Sequence, residues 1–483
     1  MHWIDLSIFL VYMLAMLGVG YYFMRKNENE DDFYVGGRSI GSFHIGLSVV
    51  ATDVGGGFSI GLGGLGFVMG LSGSWMLFTG LIGAWLSGTL LIPKVMGLLK
   101  NQKLLTFPQI FHSFYAKEVA VVAGIISGIG YLGFSSSQIL AGAKLASATF
   151  VDLELTHALI MMGVVAVVYT VMGGLKAVIY TDTVQWALLM GGLIFVGIPV
   201  AYNAVGGYEA VTQHVGSEFL SLTNVSIIQV LNWGITIIPI WFVGMTLYQR
   251  IYASKGQKQA QRAWYFAGLL EWPLMAGMGV ILGLLSRVAF EQDMFSTLGF
   301  PASGDLDSEM GLPLLLRHTL PVGLMGIMVA AYFSAIMSTA DSCLMASSGN
   351  FVTDLAGRFF DINYKTSLRV SQIATLILGV LAILIALKLQ NVLELMLLSY
   401  SFMVSGLLVP VIAAFFGKTR SSAGAVGAMI VGGSVTAGLN MAKWELPYNL
   451  DPNFFGIAAA ALVFVVLARL VPDKKLPGLS QGS

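Results

Sequence analysis

The sequence alternates between long apolar runs and short polar connections for almost its whole length. A membrane-spanning helix needs about 20 mostly apolar residues, and runs of that kind can be marked thirteen times. They lie near 4–24, 40–69, 72–98, 116–149, 156–174, 178–203, 225–250, 263–288, 320–349, 367–388, 391–416, 423–442 and 454–471. The pattern predicts an all-α multi-pass membrane protein with about thirteen transmembrane helices. Gly or Ser interrupts the 40–69 and 116–149 runs most strongly.

The connections between these runs differ in charge, and the difference predicts how the chain crosses the membrane. Loops such as "LLKNQK", "QRIYASKGQKQAQR" and "ARLVPDKK" are basic, whereas "VDLEL" and "FEQDMFSTLGFPASGDLDSEMG" contain no Lys or Arg. Basic loops are retained in the cytoplasm. An odd number of spans puts every basic loop on one side. We therefore expect a cell-membrane protein with its N-terminus outside and its C-terminus in the cytoplasm.

Composition narrows the class of protein further. Hydrophobic residues make up 56% of the chain and charged residues 10%, against about 25% charged residues in a soluble domain. The net charge of zero argues against nucleic-acid binding. The six histidines are scattered, and no Ser/His/Asp, metal or phosphate motif is present. We expect no enzymatic activity, and nothing in the sequence requires a protein partner.

The stretch "ATDVGGGFSIGLGGLG" at 51–66 contains the G-x-G-x-x-G pattern of dinucleotide-binding proteins. That fold also needs an acidic residue about 20 positions downstream, and the next acid after Asp53 is Glu118. The dinucleotide interpretation therefore fails. Gly55–Gly57 instead predict a broken membrane helix, and transporters bind cations through the carbonyls freed at such breaks. The later glycines indicate close helix packing.

A second polar stretch, "AYFSAIMSTADSCLMASS" at 331–348, lies inside an apolar run. Helical spacing places Ala335, Ser338, Thr339 and Ser342 on one face, with Asp341 beside Ser338. Hydroxyl and carboxylate oxygens suit a hard cation rather than a transition metal. A carboxylate inside the membrane is a functional-site hypothesis by default.

Two further charged residues have open interpretations. Asp182, in "GGLKAVIYTDTVQW", lies near the inner start of a span and is either a helix cap or a member of the same polar site. Lys144 is expected near the outer end of its helix, where its side chain either extends towards the membrane surface or attracts a carboxylate.

Five motifs together resemble a known family. They are "DDFYVGGRSIG", "SVVATDVGGG", "GGLKAVIYTDTVQ", "LYQRIYASK" and "AIMSTADSCLMASS", and they occur in family order from about 31 to 350. The sequence resembles the solute:sodium symporter family, which includes sodium-coupled proline, pantothenate, galactose, sialic acid and choline carriers. The resemblance implies a leucine-transporter-like inverted repeat of five plus five helices, with one extra helix before it and two after.

On this chain the implied organisation divides as follows. The extra N-terminal helix and a basic inner loop occupy 1–39, the first repeat 40–204, an outer loop 205–224, the second repeat 225–416, and two C-terminal helices with the tail 417–483.

The resemblance also implies a sodium site. Its ligands would be the backbone carbonyls of Ala51, Val54 and Ala335 and the hydroxyls of Ser338 and Thr339. Na⁺ is the expected coupling ion, and no other cofactor is expected.

Some members of the family have a second sodium site, which would map to Asp182, Ser338, Asp341 and Ser342. Members differ at the position of Asp341, where a serine can stand.

Solute-binding residues are expected at the helix break and on the spans that face it. They are Asp53, Gly55, Trp75, Phe134, Ser135, Gln138, Asn232, Trp233, Thr236, Trp241, Tyr400 and Ser401. The proline carriers have a tyrosine where Phe134 aligns. Trp241 and Tyr400 can equally be residues of helix packing.

The function implied is secondary active transport: Na⁺-coupled symport of a small polar organic solute by alternating access. The solute would be an amino acid such as proline, pantothenate, a sugar or a related compound. A proton-coupled transporter of the same fold is the nearest alternative, since Asp341 could carry a proton. A transporter-like sensor remains open as well, although no signalling domain is expected in this sequence. An ion channel or a membrane enzyme fits the residues less well.

Overall fold

The computed structural model describes residues 2–25, 30–53, 55–150, 153–172, 175–356 and 364–473. Within those ranges the protein is helical, and its β-structure is limited to an isolated bridge between Ile40 and Ser254. The expectation of an all-α protein is confirmed.

The N-terminal part of the chain forms eleven helices. They are α1 (Trp3–Met24), α2 (Glu30–Val35), α3 (Ser42–Asp53), α4 (Gly55–Met69), α5 (Trp75–Leu90), α6 (Ile92–Leu99), α7 (Lys117–Thr149), α8 (Leu155–Met172), α9 (Leu175–Gly192), α10 (Ile198–Ala204) and α11 (Gly207–His214).

Ten more helices follow in the described part of the remaining chain. They are α12 (Ile227–Val243), α13 (Met245–Ala253), α14 (Gln257–Leu269), α15 (Ala276–Glu291), α16 (Ser308–Thr319), α17 (Leu324–Gly349), α18 (Tyr364–Lys388), α19 (Val392–Phe416), α20 (Ser422–Ala442) and α21 (Pro452–Leu470).

Each of the thirteen apolar runs overlaps one or more of these helices. Nine helical segments of the described chain are long and apolar enough to cross a membrane, or ten if the bent pair α12 and α13 is one span. The apolar parts of α1 and α8, Trp3–Val19 and Leu155–Val168, are shorter. Thirteen crossings therefore stay a prediction.

Helix α17 lies at the centre of the molecule. It packs against α1, α7, α8, α9 and α18. The most apolar part of the span that it begins, Leu324–Leu355, is 94% buried, whereas that of α21 is 28% buried. Because α17 is enclosed on all sides, its many Ser, Thr and Asp side chains face other helices rather than lipid. The polar motif at 331–348 is thus an interior feature of the protein.

The outer faces of the bundle are apolar. On α18, Ile373, Leu376, Ile377, Val380 and Leu384 are each half exposed or more, and they recur at the three- and four-residue spacing of one helix face. Apolar surface of this extent is stable in lipid and unfavourable in water.

Three helices of the bundle are interrupted. Helices α3 and α4 meet at a break beside Gly55, α12 bends by 43° into α13, and α14 passes into α15 through the irregular segment Leu270–Met275. In that last segment Trp272 has extended backbone angles, φ −137° and ψ 126°. The first interruption confirms the break expected after Asp53.

The later glycines of α4 allow close packing, as their spacing predicted. A side chain at Gly66 would collide with the Val280 backbone of α15, and one at Gly283 would collide with the Gly63 backbone. These contacts hold α4 directly against α15.

Of the two interpretations of Lys144, the structure agrees with attraction of a carboxylate and not with extension to the membrane surface. Its side chain is 1% exposed, and Nζ lies 2.6 Å from carboxylate oxygens of both Asp307 and Glu309. Glu309 also accepts hydrogen bonds from the backbone N–H groups of Val392 and Leu393. Helix α16, in the connection between α15 and α17, carries Glu309 back over the bundle, so this connection supplies the anions that make burial of Lys144 favourable.

Candidate functional site

The predicted sodium ligands meet where the end of α3 touches α17. The Thr339 hydroxyl donates to the Ala51 carbonyl at 2.9 Å, and the same oxygen lies 3.1 Å from the Ala335 carbonyl. Three of the five expected ligand atoms therefore lie together, since two carbonyl oxygens are within hydrogen-bond distance of the Thr339 hydroxyl. Val54, a fourth expected ligand, lies outside the described residues.

The local backbone explains why this point suits a cation. Ala51 is among the last four residues of α3, whose carbonyls have no partner within their own helix. That end of a helix also carries partial negative charge. Gly55, with φ +57°, begins α4, and a side chain at this position would approach the Thr339 hydroxyl to 2.9 Å. Glycine permits both the backbone turn and the close approach.

Ser338, the fifth expected ligand, points elsewhere. Its hydroxyl donates to Oδ1 of Asp182 on α9, while the Ser48 hydroxyl donates to Oδ2 at 2.5 Å. Asp182 is fully buried and lies within the helix Leu175–Gly192. The carboxylate thus links α9 to both α3 and α17.

Arg250 of α13 lies within this same cluster, although its motif predicted a basic inner loop. Its guanidinium is fully buried, with Nη2 3.8 Å from Asp182 Oδ2. It donates to the hydroxyls of Thr52 at 2.6 Å, Ser342 at 3.0 Å and Ser48 at 3.2 Å. Three of the four residues expected at a second sodium site, Asp182, Ser338 and Ser342, are therefore close together, with an arginine among them.

Asp341, the other acid of that expected site, has different surroundings. It is fully buried, and neither of its carboxylate oxygens has a hydrogen-bond partner in the described residues. The Thr170 hydroxyl of α8 interacts with it and also donates to the Ala166 carbonyl. Asp341 therefore faces α8, whereas Ser338 and Ser342 face the Asp182 cluster.

Some of the expected solute-binding residues gather beside the sodium ligands. The Tyr400 hydroxyl of α19 lies 3.4 Å from both the Asp53 carbonyl and its carboxylate oxygen Oδ1. The ring of Phe134 packs edge-on against Tyr400 with 5.0 Å between centroids. All three side chains are buried.

Gln138 of α7 contacts the start of α4. Its side-chain oxygen accepts a hydrogen bond from the Gly57 N–H at 3.2 Å, and a side chain at Gly57 would collide with it. Ser135, by contrast, donates to the Tyr131 carbonyl of its own helix. Gln138 is thus joined to the break, and Ser135 is not.

The polar residues of α12 form a second group. The Thr236 and Ser401 hydroxyls lie 3.3 Å apart, and Thr236 also accepts from the Asn453 side chain. Trp241 is fully buried against Trp264, with 6.2 Å between ring centroids, and its indole N–H has no partner in the described residues.

Three expected solute residues remain apart from this gathering. Trp75 donates to the Leu222 carbonyl at 2.8 Å, in the outer loop. Asn232 bonds the backbone of Asn449 and Asp451, before the last helix. Trp233 is buried on the same helix as Asn232. In this conformation Trp75 and Asn232 join helices to loops.

A fully buried acid, Glu271, was missed from the sequence. It ends the first part of the broken span at α14–α15 and faces Asp53, and neither of its carboxylate oxygens has a hydrogen-bond donor in the described residues. Gly80 of α5 leaves the room for it. The signal was present in "GLLEWPLMAG", where an acid followed by proline interrupts an apolar run.

A family model matches residues 33–432, which cover most of the chain and all the groups just described; it is the model of the sodium:solute symporter family. The chain belongs to the sodium:solute symporter family. Resemblance in the five motifs had implied the same family.

Relatives of this symporter include carriers of different solutes. It is 27% identical to the osmoregulated proline transporter OpuE of Bacillus subtilis over 95% of this chain and 94% of that protein. It is 25% identical to the sodium/proline symporter of Escherichia coli over 95% and 92%. It is 24% identical to the sodium/glucose cotransporter of Vibrio parahaemolyticus over 99% and 92%.

Solved structures share the fold of this symporter. A Na⁺-coupled sialic acid symporter in a substrate-bound outward-open state superposes with a TM-score of 0.79 at 20% identity, over 98% of this chain and 99% of that one. The nucleobase-cation-symport transporter Mhp1 in a closed conformation gives 0.53 at 15% identity, over 92% and 95%. The symporter therefore has the leucine-transporter fold. The residue boundaries of its two repeats remain a prediction.

Proposed function

We propose that this symporter carries a small polar organic solute into the cell together with one Na⁺, which binds between the end of α3 and α17. The observation that carries the proposal is the bond from the Thr339 hydroxyl to the Ala51 carbonyl, beside the Ala335 carbonyl. Na⁺ would be transported together with the solute, and its inward movement would drive solute uptake. We propose that the protein lies in the cell membrane with its N-terminus outside and its C-terminus in the cytoplasm.

The position of these atoms suggests how Na⁺ and solute are coupled. Ala51 lies two residues before Asp53, which contacts Tyr400. A Na⁺ ion held by Ala51 and Thr339 would fix the end of α3 against α17 and so order the start of the solute pocket. Opening towards the cytoplasm would separate α3 from α17 and release the ion. Each inward-moving Na⁺ contributes about 2.3 kcal/mol per 100 mV of membrane potential.

We propose a single coupled Na⁺ because the second expected site already has a positive charge beside it. The guanidinium of Arg250 lies 3.8 Å from Asp182 and donates to Ser342. A second Na⁺ between Asp182 and Ser342 would have to displace it against charge repulsion. Counting radioactive sodium and solute taken up by the same vesicles tests this point. One ion per solute supports the proposal, and two ions contradict it.

The solute is proposed to bind between the α3–α4 break, α7 and α19. Asp53, Gly55, Phe134, Gln138 and Tyr400 meet there. Ser401 directly follows Tyr400 on α19, and its hydroxyl lies 3.3 Å from the Thr236 hydroxyl of α12. The remaining expected residues would contact the solute only if an open conformation exposed them to the pocket. They are Trp75, Ser135, Asn232, Trp233 and Trp241.

The test is transport by purified protein in lipid vesicles. Proline, other amino acids, pantothenate, choline, sugars, sialic acid and carboxylates are offered in turn, with an inward gradient of Na⁺ or of K⁺. We expect uptake of one solute class that depends on Na⁺. Uptake that follows a pH gradient in K⁺ would contradict Na⁺ coupling and favour proton coupling. Absence of transport for the whole panel would favour the sensor alternative.

A further inference from the structure

Two broken helices meet inside this protein, and each presents an acid at its break. Asp53 ends α3, and Glu271 lies at the irregular start of the Leu270–Met275 segment. Their carboxyl groups face each other. Asp53 is 7% exposed and Glu271 is fully buried. The fold therefore places two acids together where both helices are interrupted.

The donors around this pair are few. Asp53 interacts with the Tyr400 hydroxyl, at 3.4 Å, and with the Glu271 carboxyl group, while neither oxygen of Glu271 has an N–H or hydroxyl donor in the described residues. Among the described residues, the charged group that acts on Glu271 is Asp53. Buried polar groups in folded proteins are nearly always hydrogen-bonded, and buried charges are paired. Glu271 therefore needs a partner from outside the described part of the protein.

The other buried acids of the membrane region differ in this respect. Asp182 has Arg250 and two hydroxyls. Asp341, although it lacks a hydrogen bond, still feels the charge of Arg250. In the part of the chain that the structure describes, Glu271 has neither a cation nor a hydroxyl beside it, so it is the acid that most clearly requires a ligand from outside.

We propose that Glu271 and Asp53 together bind an ammonium group of the transported solute, one that carries N–H bonds. This rests on the proposed function and names the class of solute for the same pocket. Carboxylate oxygens accept strong hydrogen bonds from a charged N–H donor. Two adjoining acids that share one proton carry a single negative charge, and one ammonium group compensates it.

Two further features around the pair agree with this proposal: aromatic rings near Asp53 and space for the Glu271 carboxylate. The rings of Tyr400 and Phe134, 5.0 Å apart, lie beside Asp53, and aromatic rings attract organic cations. Gly80 has no side chain, and any Cβ there would occupy the space of the Glu271 carboxylate. A quaternary ammonium such as choline has no N–H to offer to the free oxygens of Glu271, so it is the weaker candidate.

The test uses thermal unfolding of the purified full-length protein in detergent. Probes with N–H ammonium groups are the standard amino acids including proline, methylammonium and putrescine. Choline, glucose and pantothenate serve as probes without such a group. We expect Na⁺ to raise the Tm, and at least one ammonium probe to raise it further. Glu271→Gln should weaken that second rise at least about tenfold in probe concentration, and Glu271→Asp should weaken it less.

Two controls keep the test decisive. Glu154→Gln changes an exposed acid of the α8 start and should behave as the wild type. The rise caused by Na⁺ alone in Glu271→Gln shows that the variant is folded. The inference is overturned if only choline, glucose or pantothenate raises the Tm, if no ammonium probe does, or if Glu271→Gln responds unchanged. Absence of any rise with Na⁺ in the wild type would instead overturn the proposed function.

Discussion

Asp182 and Glu271 are both fully buried acids of the membrane region, but their surroundings are opposite. Asp182 accepts from Ser48 and Ser338 and is paired with Arg250. Glu271 faces another acid, Asp53, and has no N–H or hydroxyl donor among the described residues. Burying a charge is unfavourable unless it is paired and hydrogen-bonded. The comparison teaches that the protein itself supplies the charge and hydrogen-bond partners of Asp182. For Glu271, the proposed partner is the transported solute.

The largest effect is expected from removing the cation beside Asp182. Arg250→Met would leave a buried carboxylate without its charge partner, and breaking a buried pair in this way destabilises by about 3–5 kcal/mol. We expect a severe loss of folded protein, measured as Tm and as the monodisperse fraction after purification.

The matched control is the double variant Asp182→Asn/Arg250→Met, which removes both charges together. It should recover much of the stability that the single variant loses. If Arg250→Met unfolds at the wild-type temperature, the Asp182 cluster is not held by this ion pair, and the contrast with Glu271 disappears.

A smaller effect is expected from one hydroxyl of the same cluster. Ser48→Ala removes a hydrogen bond to Asp182 that measures 2.5 Å. Hydrogen bonds to charged groups contribute about 1.5–3 kcal/mol, and Ser338 and Arg250 would remain. The Tm should fall less than in Arg250→Met. An equal or larger fall would show that the hydroxyl, rather than the arginine, compensates the acid.

The smallest effect on stability is expected beside Glu271. In Gly80→Ala the added methyl group would occupy the space of the Glu271 carboxylate, which lies at the end of a flexible side chain and can move. We expect a nearly unchanged Tm and an affinity for the solute that falls about tenfold, measured by uptake. Gly277→Ala, whose methyl group would meet open space, is the control. Unchanged uptake in Gly80→Ala would show that the position of the carboxylate does not matter.

Much of the fold could be predicted from the sequence because lipid imposes simple rules. The apolar runs locate the helices, and Gly55–Gly57 after Asp53 locate the first break. The polar motif on α17 can be recognised in the sequence, because Ser338 and Ser342 follow Ala335 at the three- and four-residue spacing of one helix face. These are local properties, and local sequence carries them.

Partnerships between distant segments could not be predicted in the same way. Arg250 was expected in a basic inner loop, and the interpretation of Lys144 stayed open between the membrane surface and a carboxylate. Nothing near either residue in the sequence shows that acids from α9 and α16 contact them. Glu271 was missed because a single acid in an apolar run gains meaning only beside Asp53. The number of spans is also open, since α1 and α8 have short apolar parts.

The measurement that tests the account most directly is equilibrium binding of radioactive sodium to the purified protein, because it needs no knowledge of the solute. The account predicts saturable binding in the wild type. Thr339→Ala, which removes the hydroxyl that contacts Ala51, should raise the Kd for Na⁺ about tenfold, while Thr339→Ser should bind almost normally. An unchanged Kd in Thr339→Ala would contradict a sodium site between α3 and α17.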